Sequence, residues 1–239
     1  MARQVRSEVT RRKILNAAIG VFGEVGYSAA GWGTIIERTG MTKGALYHHF
    51  DSKESLASAI IEEGAETILR GFRNVCGGAS PGLENLVHGT FTIVGVLSSD
   101  DTARAAEQLS WTLRGFNEAA GKFCKALIGL LATEAARAMS EGDLRTDLDP
   151  EAVSESVVGA LFGTRALADA IAGQTADAGP GRDDAADLER LTRSWELMLP
   201  GIVTDASLSY FRQFLGREAM RHRRTATPRP DAVAVSEIG

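Results

Sequence analysis

The 239-residue sequence predicts an all-α protein with a small N-terminal three-helix head and a larger C-terminal helical bundle. Three observations carry this expectation. Apolar residues recur three and four positions apart along most of the chain, the spacing that gathers them on one face of a helix. Glycine- and proline-rich stretches punctuate those runs. No segment alternates apolar and polar residues as a half-buried strand does, and no internal repeat is present. With 44% apolar and 24% charged residues, the composition is that of a globular chain with room for one small and one medium domain.

The first helix is expected over about residues 9–25, with Ile14, Ala18, Val21, Phe22 and Val25 as its apolar stripe and Arg11, Arg12 and Lys13 near its start. Gly26 ends it, as a glycine just past a helix does. Two short helices follow. One runs from Trp32 to Thr39 and stops at Gly40, which can supply a left-handed backbone. The next starts at Thr42, whose hydroxyl can accept a backbone N–H as an N-cap. In it Leu46 and Phe50 share the inward face, and Lys43, Gly44, Tyr47 and His48 share the other. Asp51 and Glu54 have the spacing of a capping box for the following helix, which carries Leu56, Ile60, Ile61, Ile68 and Leu69 to about Cys76. Residues 77–82 break it. Later helices are expected at 83–97, 102–115, 118–141, 150–172 and 185–216, the last open to interruption at Pro200-Gly201. Residues 173–187 read as a long flexible loop, and the chain from about Arg221 reads as a mobile basic and polar tail. The resulting division is a head over 1–54, a regulatory and dimerisation body over 55–220 and a tail over 221–239.

Charge is distributed unevenly. Residues 1–53 carry eight Lys/Arg against four acids, so +4 sits on the head and −9 on the remainder of a chain whose net charge is −5. A basic head on an acidic body is the footprint of a nucleic-acid-binding domain joined to something else. Cys76 and Cys124 are too few for a disulfide framework, and neither has a second ligand at a metal-like spacing, so both read as small buried residues of a reducing compartment. The N-terminus lacks the apolar run of a signal peptide, and no apolar run approaches the length of a membrane span, so a cytoplasmic protein without membrane contact is expected. No nucleophile, base and oxyanion set is legible. His48 and His49 are adjacent and so diverge on a helix, and no glycine fingerprint follows a strand. No enzyme, metal or cofactor is therefore expected.

The short helix, glycine turn and short helix over 32–50 have the size of a helix-turn-helix, whose second helix enters the major groove. A generic helical hairpin has the same periodicity. The residue types favour the former reading. Lys43 can donate to guanine or phosphate, Gly44 allows close backbone approach, and Thr42, Tyr47 and His48 add polar groups. Lys53 is expected at a phosphate. The string from Thr42 to Leu56 (TKGALYHHFDSKESL) resembles the recognition-helix signature of the TetR family. Arg12 to Ala18, Phe22 and Gly26-Tyr27 are similar to its first helix. Gly31 stands where that family usually places a Ser or Thr cap. Residues Met1 to Arg6, Gly142-Asp143-Leu144, Asp147-Leu148-Asp149, Val157-Val158 and Gly163-Thr164-Arg165 further resemble the γ-butyrolactone autoregulator receptors of actinobacteria.

The resemblance implies a homodimeric repressor that holds a double-stranded, pseudo-palindromic operator and releases it when a small apolar effector, such as a butyrolactone-like signal, enters the body. A DNA-binding regulator or pseudo-receptor without an effector is the alternative. Leu127 stands where those receptors typically carry a pocket tryptophan, which leaves the effector open. Phe91, Trp111, Phe123, Leu127 and Phe162 are candidates for a pocket lining, although for any one of them plain core packing is the favoured reading. Gly159 and Gly163, with Leu191, Trp195 and Met198, are candidates for a dimer interface made by two helices, or for packing inside one bundle.

Overall fold

The structure, a computed structural model, describes residues 2–76, 79–172 and 184–226. Among the described residues the chain is helical throughout: α1 (Ala2–Ala29), α2 (Trp32–Thr39), α3 (Lys43–His49), α4 (Lys53–Val75), α5 (Gly82–Ser99), α6 (Asp101–Thr112), α7 (Glu118–Glu141), α8 (Pro150–Ala172), α9 (Asp184–Ile202) and α10 (Asp205–Ala226). The sole extended pairing described is an isolated antiparallel bridge between Leu144 and Val203.

Local chemistry sets the boundaries. In α1 the helical path is broken at Gly26, with φ 76° and ψ 160°, a conformation in which a Cβ would be strained. The expected stop is thus a kink, after which one short turn continues to Ala29. The head of α4 is capped one residue later than Asp51 and Glu54 suggest. Ser52 Oγ accepts the Ser55 N–H at 3.0 Å, and Ser55 Oγ accepts the Ser52 N–H at 3.2 Å. This reciprocal pair does the work of a capping box with a second serine in place of the usual Glu or Gln.

Pro200 does not divide the last long helix. It lies in the final turn of α9, and the break comes at Val203-Thr204, where the Thr204 N–H turns away to the Asp143 carbonyl at 2.9 Å. Of the expected loop 173–187, residues 184–187 form the first turn of α9, where Asp184 and Asp187 suit the positive helix end, and the rest lies outside the described residues. Of the expected tail, residues 221–226 continue α10 as helix, while 227–239 lie outside the described residues.

The chain forms two compact units, and their boundaries differ from the expected head and body. The first holds Met1–Arg73 with Val96–Leu127; the second holds Asn74–Gly95 with Ile128–Gly239. In the first unit α1 buries Ile14, Leu15, Ala18 and Val21, and α4 buries Leu56, Ile60, Ile61 and Ile68. Glu63 of α4 pairs with Arg11 and Arg12 of α1. A Cβ on Gly64 would stand 2.4 Å from Ala106 Cβ and from the Thr102 carbonyl, so glycine permits the close packing of α4 on α6. These contacts explain why α4 and the 96–127 segment cluster with the head. In the second unit the core contains Phe91, Phe162, Trp195 and Phe211, each at most 2% exposed. Arg165 of α8 pairs with Asp187 of α9 in that core, and Arg190 reaches the second Asp187 oxygen at 2.6 Å. Buried charges are tolerated there because they satisfy one another.

Candidate nucleic-acid interface

The head positions α3 through two caps. At the turn, Gly40 adopts φ 64° and ψ 21°, and its N–H reaches the Ile36 and Glu37 carbonyls at 3.0 and 3.2 Å. Thr42 then caps α3, its Oγ accepting the Ala45 N–H at 3.3 Å. Leu46 is fully buried and Phe50 nearly so, which anchors α3 by its inner face. Thr42, Lys43, Gly44, Tyr47 and His48 are all exposed, as their spacing predicts.

This outer face is partly pre-ordered. Tyr47 is 43% exposed, and its ring lies 5.5 Å from that of Trp32 on α2. The sequence reading missed Trp32 in this role; its aromatic character just after the weak Gly31 cap was the available signal. Gly31 makes no side-chain cap, as expected of glycine, so the Trp32–Tyr47 pair is a tertiary hold on the start of α2. The Lys43 ammonium sits 5.7 Å from the Tyr47 ring centroid. A Cβ added at Gly44 would meet nothing within 4 Å, so in the free chain the space outside this backbone is open. His49 is half-buried. Burial, then the charges of His48 and Arg11, holds its imidazole below the ordinary value.

Four nearby cations have partners within the chain. Arg38 binds Glu24 with two bonds of 2.7 and 2.6 Å. Arg11 and Arg12 hold Glu63. In the free chain Lys53 has partners of its own. Its ammonium donates to the carbonyls of Tyr27 at 2.8 Å, Ala30 at 3.0 Å and Ser28 at 3.3 Å, and lies 4.5 Å from the Tyr27 ring centroid. The end of α1 at Ala29 leaves these carbonyls without helical partners, and a cation satisfies them well. Replacing Lys53 by methionine is therefore expected to destabilise the head by about 1–2 kcal/mol. Urea denaturation measures this. Unchanged stability with weaker DNA binding would return Lys53 to the phosphate.

The remaining candidates divide between the two units. Phe123 and Leu127 are buried and Trp111 half-buried in the first unit, whereas Phe91 and Phe162 are buried in the second. Of the expected interface, Gly159 is exposed, and Gly163 and Met198 are half-buried. Leu191 and Trp195 point the other way. Trp195 is fully buried within the single chain and donates its indole N–H to Thr90 Oγ1 at 2.9 Å. A side chain with no accessible surface has none left to bury against a second copy, so Leu191 and Trp195 are core residues. The apolar side chains that α8 and α9 expose are Leu167, Ile171 and Leu197, at 65%, 68% and 78%. They line a groove of about 610 Å³ whose rim also carries Glu189, Arg190 and Arg193. Among the described residues, no helix is long and apolar enough to cross a membrane.

A capped, exposed helix carrying Lys43, Gly44, Tyr47 and His48 defines a helix-turn-helix DNA-binding protein, and the chain belongs to the tetR family of bacterial regulatory proteins, which matches over residues 14–60. It is a DNA-binding transcriptional regulator. Across 215 residues it is 30% identical to the A-factor receptor protein of Streptomyces griseus, covering 89% of this chain and 70% of that one. Among solved structures it resembles CprB of Streptomyces coelicolor in complex with its biological operator sequence, at 25% identity and a TM-score of 0.69, covering 90% of this chain and 99% of that one. In fold it also matches an ArpA-like γ-butyrolactone receptor, at 24% identity and a TM-score of 0.70, over 90% of this chain and 99% of that one.

Proposed function

We propose that this protein is a homodimeric repressor that reads a pseudo-palindromic operator with two copies of α3 and releases it when a small apolar molecule binds the body. The exposed outer face of α3 carries the proposal, because its solvent-facing residues are those that donate to bases and phosphates. One seven-residue helix offers few base contacts. Two copies about 34 Å apart can read successive major grooves. The relatives add support for the body: one is named a receptor for A-factor, and another a γ-butyrolactone receptor. A ligand can act only through its different affinities for a DNA-competent and an incompetent conformer. Full release from a 99:1 bias needs a ratio of about 10⁴.

The groove between α8 and α9 is proposed as the dimer face. Leu197→Arg places a charge there on a side chain that makes little contact within its own chain. Sedimentation should show the mass halved, with the helical circular dichroism retained and operator affinity at least tenfold lower. A persistent dimer would exclude this face. For the effector, operator fragments selected from random DNA are incubated with the protein and a series of γ-butyrolactones. Release identifies the class. Failure of every lactone, lipid and furan tested would establish the effector-independent regulator instead.

A further inference from the structure

Of the four histidines, His48 and His49 belong to the head. The other two, far apart in sequence, meet at a single carboxylate in the second unit. His88 of α5 approaches Glu218 of α10 with Nδ1 2.6 Å from Oε2. His222, one turn further along α10, places Nε2 3.7 Å from the same oxygen. One potential ligand atom from each residue lies within 4.8 Å of the other two. The i, i+4 spacing of Glu218 and His222 puts both on one face of α10. We propose that His88, Glu218 and His222 form a binding site for a divalent transition ion of the zinc class, which ties α5 to the end of α10.

The donor chemistry selects the class. Two imidazoles and one carboxylate suit Zn²⁺, Co²⁺ or Ni²⁺, whereas Mg²⁺ and Ca²⁺ demand oxygen shells. Bonds of about 2.0–2.2 Å place tetrahedral ligand atoms about 3.4 Å apart. The present separations of 2.6 and 3.7 Å bracket that value, so small side-chain rotations suffice. Glu218 is 2% exposed, which fixes its position, while the two histidines are partly accessible and leave a path for the ion.

The neighbours fit. Arg221 binds the other carboxylate oxygen, Oε1, at 2.9 Å and is itself largely exposed, so Oε2 stays available to the ion. The Phe91 ring lies 5.5 Å from the His222 ring and covers it with an apolar surface. The ion would replace the Nδ1 proton of His88, which then carries its proton on Nε2. Three protein ligands leave a fourth position for water or another donor.

The test uses the full-length protein stripped with a chelator, dialysed and titrated with ZnCl₂ in the presence of a chromophoric competitor. One ion per chain is expected, with no uptake of MgCl₂ at the same concentration. His88→Ala and His222→Ala should each weaken binding by more than about 100-fold. The Cys76→Ser/Cys124→Ser double variant should retain it. If the histidine variants misfold, CoCl₂ titration of the unaltered chain decides. An absorption spectrum of four nitrogen and oxygen ligands without thiolate charge transfer is expected. Thiolate bands, absence of uptake, or full affinity in the folded histidine variants would overturn the proposal.

Discussion

Trp195→Ala is expected to cost about 3–5 kcal/mol of stability, the largest effect of any substitution considered for this protein. The indole is fully buried, sits among the largest side chains of the second unit and bridges α9 to Thr90 of α5. Most of the loss comes from the cavity. Thr90 keeps its own hydrogen bond to the Val87 carbonyl at 2.7 Å, so the orphaned hydroxyl adds little. Trp195→Phe fills more of the space and should cost about 1–2 kcal/mol. Urea midpoints measured on both variants and on Leu197→Ala give the comparison. The leucine variant should cost far less than Trp195→Ala, because within its own chain its side chain is largely in solvent. A stable, monomeric Trp195→Ala protein would contradict the burial argument and return this tryptophan to the dimer face.

Lys43→Ala should weaken operator binding by about 1–3 kcal/mol while leaving the thermal midpoint unchanged. The side chain is exposed, and its described contact is with the Tyr47 ring, so the free fold has little to lose. If Lys43 reads a base, discrimination at one operator position relaxes. If it binds a phosphate, all sequences weaken alike and the salt slope falls by about one. Gly44→Ala sharpens the same point with effects of opposite sign. Alanine should stabilise α3 by up to about 1 kcal/mol, since its Cβ meets nothing in the free chain. It should nevertheless reduce operator affinity, because the methyl group occupies the path of backbone approach. Titration of a fluorescent operator together with thermal melts tests both variants. Undiminished operator affinity in both would remove α3 as the reading element.

Most of the helices were legible from periodicity, because a 3.6-residue repeat is a local property. Thr42 and Gly40 were equally legible, since a cap and a left-handed turn are decided by residues within one turn of themselves. The outward face of α3 followed from the burial of Leu46 and Phe50 four apart. The contacts Lys53 makes in the free chain were not legible, because its partners, Tyr27, Ser28 and Ala30, are remote in sequence. The Glu218 cluster was invisible for the same reason, because His88 lies 130 residues from its carboxylate partner.

The sequence by itself determined an all-α chain, the position of its reading helix and the residues that helix presents, all of which depend on contacts within a few residues. Only the tertiary structure decided which cations are free and which stripe of α9 is core. It also decided which distant histidines share a carboxylate. The physical reason is common to all three. An amphipathic helix declares that it has an apolar side, but Trp195 and Leu197 are both apolar, and only the arrival of α5 and Thr90 determines which of them is buried.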